Sequence, residues 1–205
     1  MLPHDNKPQV PRDACYFLTL NTVDRIDVFV RPTYKHIVAN ALNHFVEEGD
    51  VTVYAWCLMT SHLHLLVGTR QDNGHASFER DFKKFTTPEI IKTIEMEMDL
   101  RRDWMMQHFE AYSKSLKRLE KLNLWQNCSS PLHIDSGQPG LLFDRIDHIH
   151  DNPVRERFVD APETYMFSSA RDYAGGKGLV KVKVLHQPGL TRVQDFASFR
   201  TLSSN

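Results

Sequence analysis

The chain has 205 residues, of which 41% are hydrophobic and 25% are charged, and its formal net charge is −1. This is the composition of an ordinary globular protein that can bury a core, and the charge balance excludes a uniformly basic surface, although a local basic face is compatible with it. No apolar run approaches the length of a membrane span, and the first residues lack the apolar core of a signal peptide. We therefore expect a cytoplasmic protein with no membrane partner. Cys15 and Cys57 lie in strand-like sequence and are expected to stay reduced, and the third cysteine is Cys128.

The first third of the chain predicts a β-α-β-β order. Residues 1–14 carry three prolines among polar residues and predict a flexible arm, and "CYFLTLNTV" (15–23) predicts the first strand. "RIDVFV" (25–30) is interpreted as a short hairpin return. From 32 to 49 the apolar residues recur with the spacing of an amphipathic helix, which a proline opens and a glycine closes.

Two histidines lie one residue apart on a predicted strand. "VTVYAWCLM" (51–59) and "TSHLHLLVGT" (60–69) predict two strands joined by a tight connection. Because alternate side chains of a strand share a side, His62 and His64 point one way and the neighbouring leucines point the other. Two imidazoles so placed suit a metal ion on an open sheet surface, while a polar surface pair or satisfied core groups would show the same pattern.

The rest of the chain is mostly helical. A charged helical pattern covers 77–121, with a restart expected at Pro88, and a turn-rich segment leads to a helix over 141–152 that Pro153 ends. "LVKVKVL" (179–185) alternates and predicts a final strand. The order β–α–β–β–α–α–β predicts an α+β fold with a single antiparallel β-sheet and helices packed on one face.

The helix over 141–152 is amphipathic and brings polar groups to the face opposite its apolar stripe. The apolar stripe consists of Leu142, Ile146 and Ile149. The polar face carries Asp144, His148 and Asn152. Residues four apart share a helical face, so this face could supply a third ligand to a metal on His62 and His64. A solvated helix face is the alternative interpretation.

Two long segments carry a resemblance to a known family. "YAWCLMTSHLHLLV" (54–67) resembles the first signature of the HUH endonucleases, specifically of single-tyrosine transposases of the insertion-sequence and REP-associated type. "HIHDNPVRERFVDAPETYMFSSARDY" (148–173) resembles their second signature, and "FKKFT" and "LWQ" occur in family-like order between them. The resemblance covers about residues 15–175 and implies a ferredoxin-like HUH endonuclease fold with a helical insertion at about 77–121. An N-terminal arm over 1–14 and a C-terminal basic strand and tail over 176–205 would flank this domain.

The resemblance implies a defined chemistry. Members of this family cut single-stranded DNA, often beside a hairpin, when a tyrosine hydroxyl attacks a phosphodiester, and a divalent metal, usually Mg²⁺ or Mn²⁺, assists. Applied to this chain, the resemblance implies that His62 and His64 are metal ligands and that Asn152 is the third ligand. Two imidazoles also suit zinc or nickel. The implied partner is single-stranded or hairpin DNA.

The chain departs from the family at the catalytic position, because His148 stands where the second signature has its tyrosine. A histidine cannot form a phosphotyrosine, and a phosphoramidate on histidine would be foreign to the family. Tyr165 and Tyr173 match packing positions of the family pattern, and Tyr112 lies in the variable helical stretch. We therefore consider three functions: an impaired or repurposed transposase-like DNA-binding protein, a non-catalytic domesticated nucleic-acid-binding protein, and a metal-dependent nuclease in which water attacks and His148 is the general base.

Basic side chains that could contact nucleic acid occur at several places. The candidates are Lys83, Lys84, Arg101, Arg102, Arg155, Arg157, Lys181 and Lys183. The last two would share one side of the predicted final strand and could track phosphates, although lysines that only solubilise a surface follow the same pattern. A monomer or a homodimer fits the family, and the long helical insertion favours the monomer.

Overall fold

The computed structural model describes residues 14–70, 74–117, 122–127, 130–135 and 137–186. Cys128, residues 187–205 and almost all of the predicted N-terminal arm lie outside the described residues. The strands and helices are β1 Ala14–Asn21, α1 Pro32–Glu47, β2 Thr52–Leu58, β3 His62–Thr69, α2 Gly74–Met96, α3 Arg102–Ser115, β4 Leu132–Ile134, α4 Pro139–Arg155 and α5 Ala170–Tyr173. Within the part of the chain that is described, no helix combines the length and the apolar character needed to cross a bilayer.

The strands form one antiparallel sheet in the order β2-β3-β1-β4, which confirms the predicted α+β class. β3 therefore lies between β2 and β1, and its register against β1 places Thr19 opposite His64 and Asn21 opposite His62. On β2, Cys57 is opposite His64. Residues paired in this way point to the same side of the sheet, so the two histidines share their side with Thr19, Asn21 and Cys57.

Both sides of the sheet are covered. The side away from the histidines carries leucines of β1 and β3 that are at most 1% exposed, namely Leu18, Leu20, Leu63 and Leu65. Helices α1 and α2 pack together and contact β2 and β3, and α4 also contacts these two strands. On the histidine side, the Arg145 guanidinium of α4 lies 5.6 Å from the ring centre of Phe17. Helix α4 thus crosses the histidine side and brings its polar residues toward β3.

The segment after β1 forms turns, so the prediction of a hairpin return over 25–30 is wrong. Two 3-10 turns, Val23–Arg25 and Val28–Val30, replace it. The buried Thr22 hydroxyl lies 2.7 Å from the carbonyl oxygen of Ile26 and 2.9 Å from that of Ser61, which favours a turn at this point. Arg25 has a backbone φ of +53°, in the left-handed region that residues other than glycine rarely adopt.

The restart expected at Pro88 is also wrong, because α2 is continuous from Gly74 to Met96 with that proline inside it. A proline inside a helix removes one backbone donor and crowds the carbonyl one turn earlier. In α2 the Thr86 and Thr87 hydroxyls donate to carbonyl groups of the preceding turn, at 2.8 and 2.7 Å.

Helix α4 continues to Arg155, beyond the end expected before Pro153. The proline lies in the last turn, where the Asn152 carbonyl accepts the Glu156 N–H at 3.0 Å. A proline cannot donate a hydrogen bond, but its own carbonyl still accepts one, here from the Phe158 N–H at 2.8 Å. The helix therefore ends one turn later than the sequence rule predicts.

No strand forms over 179–186 in the described part of the chain, so the predicted final strand is wrong. The Lys183 N–H donates to the Val53 carbonyl at 2.9 Å, but the Lys181 N–H donates to the Asn43 side chain of α1 at 2.8 Å. A ladder needs successive backbone partners on one strand. This segment divides its backbone hydrogen bonds among β2, the Asn43 side chain and the Tyr173 hydroxyl, and so it follows the sheet without joining it.

Candidate functional site

Three histidine rings meet on one side of the sheet. The ring centres of His62 and His64 are 4.7 Å apart, and that of His148, from α4, is 5.3 Å from His64. His62 and His64 are 4% and 7% exposed, and His148 is half-buried. We call these three side chains the imidazole cluster. The strand alternation thus predicted the pairing of His62 and His64, and the polar face of α4 supplies the third ring.

The ring of His64 is held in place by two residues of β1. The Thr19 hydroxyl oxygen lies 2.9 Å from His64 Nδ1, and the Phe17 ring stacks on the imidazole at 5.6 Å with an interplanar angle of 21°. When Nδ1–H donates to the hydroxyl, Nε2 carries the free lone pair. A hydrogen bond of this kind fixes the tautomer and the orientation of metal-binding histidines.

His62 has two polar neighbours at Nδ1. The Ser61 hydroxyl lies 3.3 Å and the Arg25 guanidinium 3.4 Å from this nitrogen. A guanidinium can only donate, whereas a hydroxyl can donate or accept, so the tautomer of His62 depends on which neighbour it uses. When Nδ1–H of His62 donates to the Ser61 hydroxyl, Nε2 of His62 is left free for a ligand.

Both strand histidines are neutral near pH 7. Burial, with smaller contributions from the Arg25 guanidinium and His148, lowers the pKa of His62 to about 4, while Asp27 opposes the shift. Burial and the neighbouring His62, His148 and Arg25 lower the pKa of His64 to about 3. A neutral imidazole can bind a metal ion without first losing a proton.

His148, which the sequence resemblance places at a tyrosine position, lies against His64 in the structure. Burial lowers its pKa, and the Arg155 and Arg145 guanidinium groups lower it further. Its ring also meets Phe17 edge-on at 6.0 Å. Helix α4 therefore presents a neutral imidazole, flanked by two cations, to the strand histidines.

Asn152 lies one turn after His148 and is 8% exposed. Within the described residues, no hydrogen bond joins its side chain to His62 or His64. Among the same residues, no three His, Cys, Asp or Glu side chains are arranged so that they could hold a metal ion. A metal centre here would therefore need amide or water oxygens in addition to the two imidazoles, and such a mixture of nitrogen and oxygen donors suits Mn²⁺.

A further amide lies beside the histidines. The side-chain oxygen of Asn21, opposite His62 on β1, is buried and has no hydrogen-bond partner among the described residues. The sequence interpretation missed Asn21, Thr19, Phe17 and Arg25. The only available signal was alternation along β1, which shows that Phe17, Thr19 and Asn21 share a side but not that this side faces the histidines.

The three tyrosines considered from the sequence are all engaged outside the imidazole cluster. The Tyr165 hydroxyl donates to the Leu58 carbonyl at 2.9 Å and accepts from Lys35 Nζ at 2.8 Å. The Tyr173 hydroxyl donates to the Tyr54 carbonyl at 3.0 Å. The Tyr112 hydroxyl accepts the Asn127 N–H at 2.9 Å. These contacts agree with packing roles for Tyr165 and Tyr173.

The basic residues on and near the helices that were predicted to contact DNA differ in whether they are already paired within the protein. Lys83 Nζ lies 2.5 Å from a carboxylate oxygen of Glu79 and 2.6 Å from the Gln126 carbonyl oxygen, so its charge is already used within the protein. Lys84 is exposed on α2. Arg155 and Arg157 are exposed at the end of α4, and Arg155 is close enough to His148 to lower its pKa.

Lys181 and Lys183 line a groove of about 280 Å³ at the edge of β2, together with Arg70. Both lysines are exposed, and Lys181 Nζ forms an ion pair with Glu47 at 2.6 Å. Because the strand expected here does not form, the two lysines do not share a strand face. They remain candidate phosphate contacts through their charge alone.

Among known proteins, this chain resembles solved structures in its fold. No family model matches the chain, and no curated protein matches its sequence. The solved structure of a REP-associated tyrosine transposase bound to a REP hairpin has 16% sequence identity and a TM-score of 0.56, over 95% of this chain and 100% of that one. A candidate transposase from Deinococcus radiodurans R1 has 15% identity and a TM-score of 0.41, over 73% of this chain and 98% of that one. The first similarity shows that this chain has a transposase-like α+β fold.

Proposed function

We propose that the chain is a transposase-like protein that binds single-stranded or hairpin DNA on the side of the sheet that carries the imidazole cluster. The observation that carries the proposal is the meeting of His62, His64 and His148 in a fold shared with a transposase solved on a hairpin. Arg25 lies beside His62, and Arg145 and Arg155 act electrostatically on His148. Cations on this side of the sheet suit a phosphate backbone, although the formal net charge of the whole chain is only −1.

We propose that this site holds a divalent metal, Mg²⁺ or Mn²⁺, through His62 and His64, with Asn152 of α4 as a third ligand. The bound ion would polarise a phosphate and stabilise the charge that develops on it. The residues of the chain fit such an ion in two respects, since both imidazoles are neutral near pH 7 and Thr19 orients one of them. Asn152 supports the proposal by its place on α4, one turn after His148.

The presence of His148 at the nucleophile position makes strand transfer through a phosphotyrosine unavailable at that position. The other tyrosine hydroxyls discussed above are bonded to groups outside the imidazole cluster. We therefore propose that DNA binding is retained while transposition is impaired. A non-catalytic, domesticated role in nucleic-acid binding is the form of this proposal in which no cleavage occurs at all.

A second function has its own supporting observation, which is the position of the His148 ring 5.3 Å from that of His64. Because its lowered pKa leaves it neutral at pH 7, His148 could take a proton from a water molecule that attacks a phosphodiester. The water oxygen would form the new bond to phosphorus, and the bond to the leaving sugar oxygen would break. This reaction gives free cleaved ends and no covalent protein–DNA product.

One experiment distinguishes these functions. An end-labelled hairpin oligonucleotide is incubated with the protein and Mn²⁺ and is resolved on native and denaturing gels. Our leading proposal predicts a shifted native band with intact DNA, and the hydrolytic alternative predicts free shortened ends. A fully duplex oligonucleotide of the same composition is the control for structure-specific binding. A hairpin that binds no more tightly than this duplex would contradict the proposed function.

A further inference from the structure

We propose that Asn21, the last residue of β1, is a ligand of the metal site and coordinates through its side-chain oxygen beside the two strand imidazoles. This inference rests on the metal site proposed above. It adds a ligand from the sheet itself, whereas the third ligand implied by the sequence resemblance comes from α4.

The register of the sheet places Asn21 at the site. β1 pairs with β3 so that Asn21 is directly opposite His62 and Thr19 is directly opposite His64. The Thr19 hydroxyl contacts the His64 ring, which shows that this side of β1 faces the imidazoles. Since Asn21 follows Thr19 by two residues on a regular strand, its side chain points to the same side. Directly opposed residues have Cβ atoms about 4.5–5.5 Å apart, so the Asn21 amide starts within reach of the His62 ring.

The Asn21 side chain has an unmet bonding requirement. Its Oδ1 is buried and accepts no hydrogen bond from any described residue. Leaving a buried acceptor unpaired costs about 1–3 kcal/mol, so such atoms usually have a partner. The backbone is not free to move the side chain elsewhere, because the Asn21 carbonyl accepts the Gln126 N–H at 2.9 Å. A cation shared with the neighbouring imidazoles would supply the missing partner, and a buried water molecule is the competing one.

The donor set that results is two imidazole nitrogens and one amide oxygen, without a carboxylate. Imidazole favours transition metals over Mg²⁺, and amide oxygen is accepted by hard and borderline ions, so we expect this site to bind Mn²⁺ more tightly than Mg²⁺. Arg25 opposes a cation here, and Nε2 of His62 is available to the metal only in the tautomer whose Nδ1–H donates to the Ser61 hydroxyl. Because all three of these ligands are uncharged, a negatively charged side chain at position 21 should strengthen the binding of Mn²⁺.

The test is a calorimetric titration of the full chain with Mn²⁺ at pH 7, without DNA. We expect Asn21→Ala to weaken Mn²⁺ binding by about tenfold or more and Asn21→Asp to strengthen it. Asn152→Ala, in the same titration, measures the ligand from α4, and Asn40→Ala, at an exposed position of α1, should bind as the parent does. Circular dichroism of the metal-free proteins checks that the variants fold.

Each outcome decides the inference. If Asn21→Ala binds Mn²⁺ like the parent while His62→Ala and His64→Ala do not bind it, the metal site stands and Asn21 is not a ligand. If the parent does not bind Mn²⁺, both this inference and the proposed metal site are wrong, and hairpin binding without metal still tests the DNA-binding function separately. Should Asn21→Ala fail to fold, Asn21→Asp decides, because unchanged affinity in that variant overturns the inference and tighter binding supports it.

Discussion

The hydroxyl of Thr19 lies 2.9 Å from Nδ1 of His64, across the β1–β3 pairing. This contact selects the nitrogen of His64 that remains available, so its loss should loosen the ring without changing the fold. We expect Thr19→Val, which keeps the shape of the side chain, to weaken Mn²⁺ binding about tenfold in calorimetry. Thr87→Val, on α2 and remote from β1, is the matched control. Equal affinities in parent and Thr19→Val would show that the hydroxyl does not position the ligand.

If the proposed function is right, replacing His148 by tyrosine should supply a nucleophile at the imidazole cluster. The ring at this position already lies against His64, and a phenol hydroxyl there could attack a phosphodiester that binds at the imidazole cluster. We expect His148→Tyr to form a covalent product with a labelled hairpin in Mn²⁺, which survives boiling in detergent. His148→Phe keeps a similar ring without the hydroxyl and should form none. If His148→Tyr binds Mn²⁺ and DNA but forms no adduct, the site differs from a working transposase at more than this residue.

Stability should fall at mildly acid pH because of buried neutral histidines. His150 is fully buried, its Nε2 lies 2.8 Å from the Ser169 hydroxyl oxygen, and burial lowers its pKa to about 3. An unfolded chain takes up the proton near pH 6.5, whereas the folded chain does so only near pH 3, so the free energy of unfolding decreases as pH falls between these values. For His150 alone the loss is about 2 kcal/mol between pH 6.5 and 5. His62 and His64 shift in the same direction.

Urea denaturation at pH 7.5 and pH 5 measures this effect. His150→Gln keeps a polar side chain but cannot take up the proton, so the difference in unfolding free energy between the two pH values should be smaller than in the parent. The absolute stability of the variant at pH 7.5 does not enter this comparison. A pH dependence equal to that of the parent would mean that His150 is not held neutral in the folded protein.

The basic residues should differ in their contribution to DNA binding. Arg155 is exposed and acts electrostatically on His148, whereas Lys83 is paired with Glu79. We expect Arg155→Ala to weaken hairpin binding and to reduce the slope of log affinity against log salt by about one, because one phosphate contact is lost. Lys83→Ala should change neither quantity. Gel-shift titrations at four salt concentrations measure both, and a larger effect at Lys83 would place the DNA elsewhere on the surface.

The sequence predicted the parts of this site that depend on local periodicity. The period of two in β3 placed His62 and His64 on one side, and the 3.6-residue period of α4 placed His148 and Asn152 on its polar face. The α+β class also followed from the order of the elements. These features need no knowledge of which strand pairs with which.

The remaining features depend on pairing and packing, which local patterns do not contain. Thr19 and Asn21 reach the histidines only because β1 pairs with β3 in one register, and Arg25 reaches His62 only through a left-handed turn. The continuity of α2 through Pro88 was not evident from the sequence, because a proline is also typical of the first turn of a new helix. The segment 179–185 alternates like a strand, yet its backbone divides its hydrogen bonds among β2, the Asn43 side chain and the Tyr173 hydroxyl.

The most direct test of the metal site is a Mn²⁺ titration of the parent protein beside His62→Ala and His64→Ala. With both imidazoles neutral and 4.7 Å apart between ring centres, the account predicts that the parent binds Mn²⁺ and that each substitution abolishes the binding. Parent-like Mn²⁺ binding in both variants, or no binding in the parent, would contradict the assignment of a metal site to these two histidines.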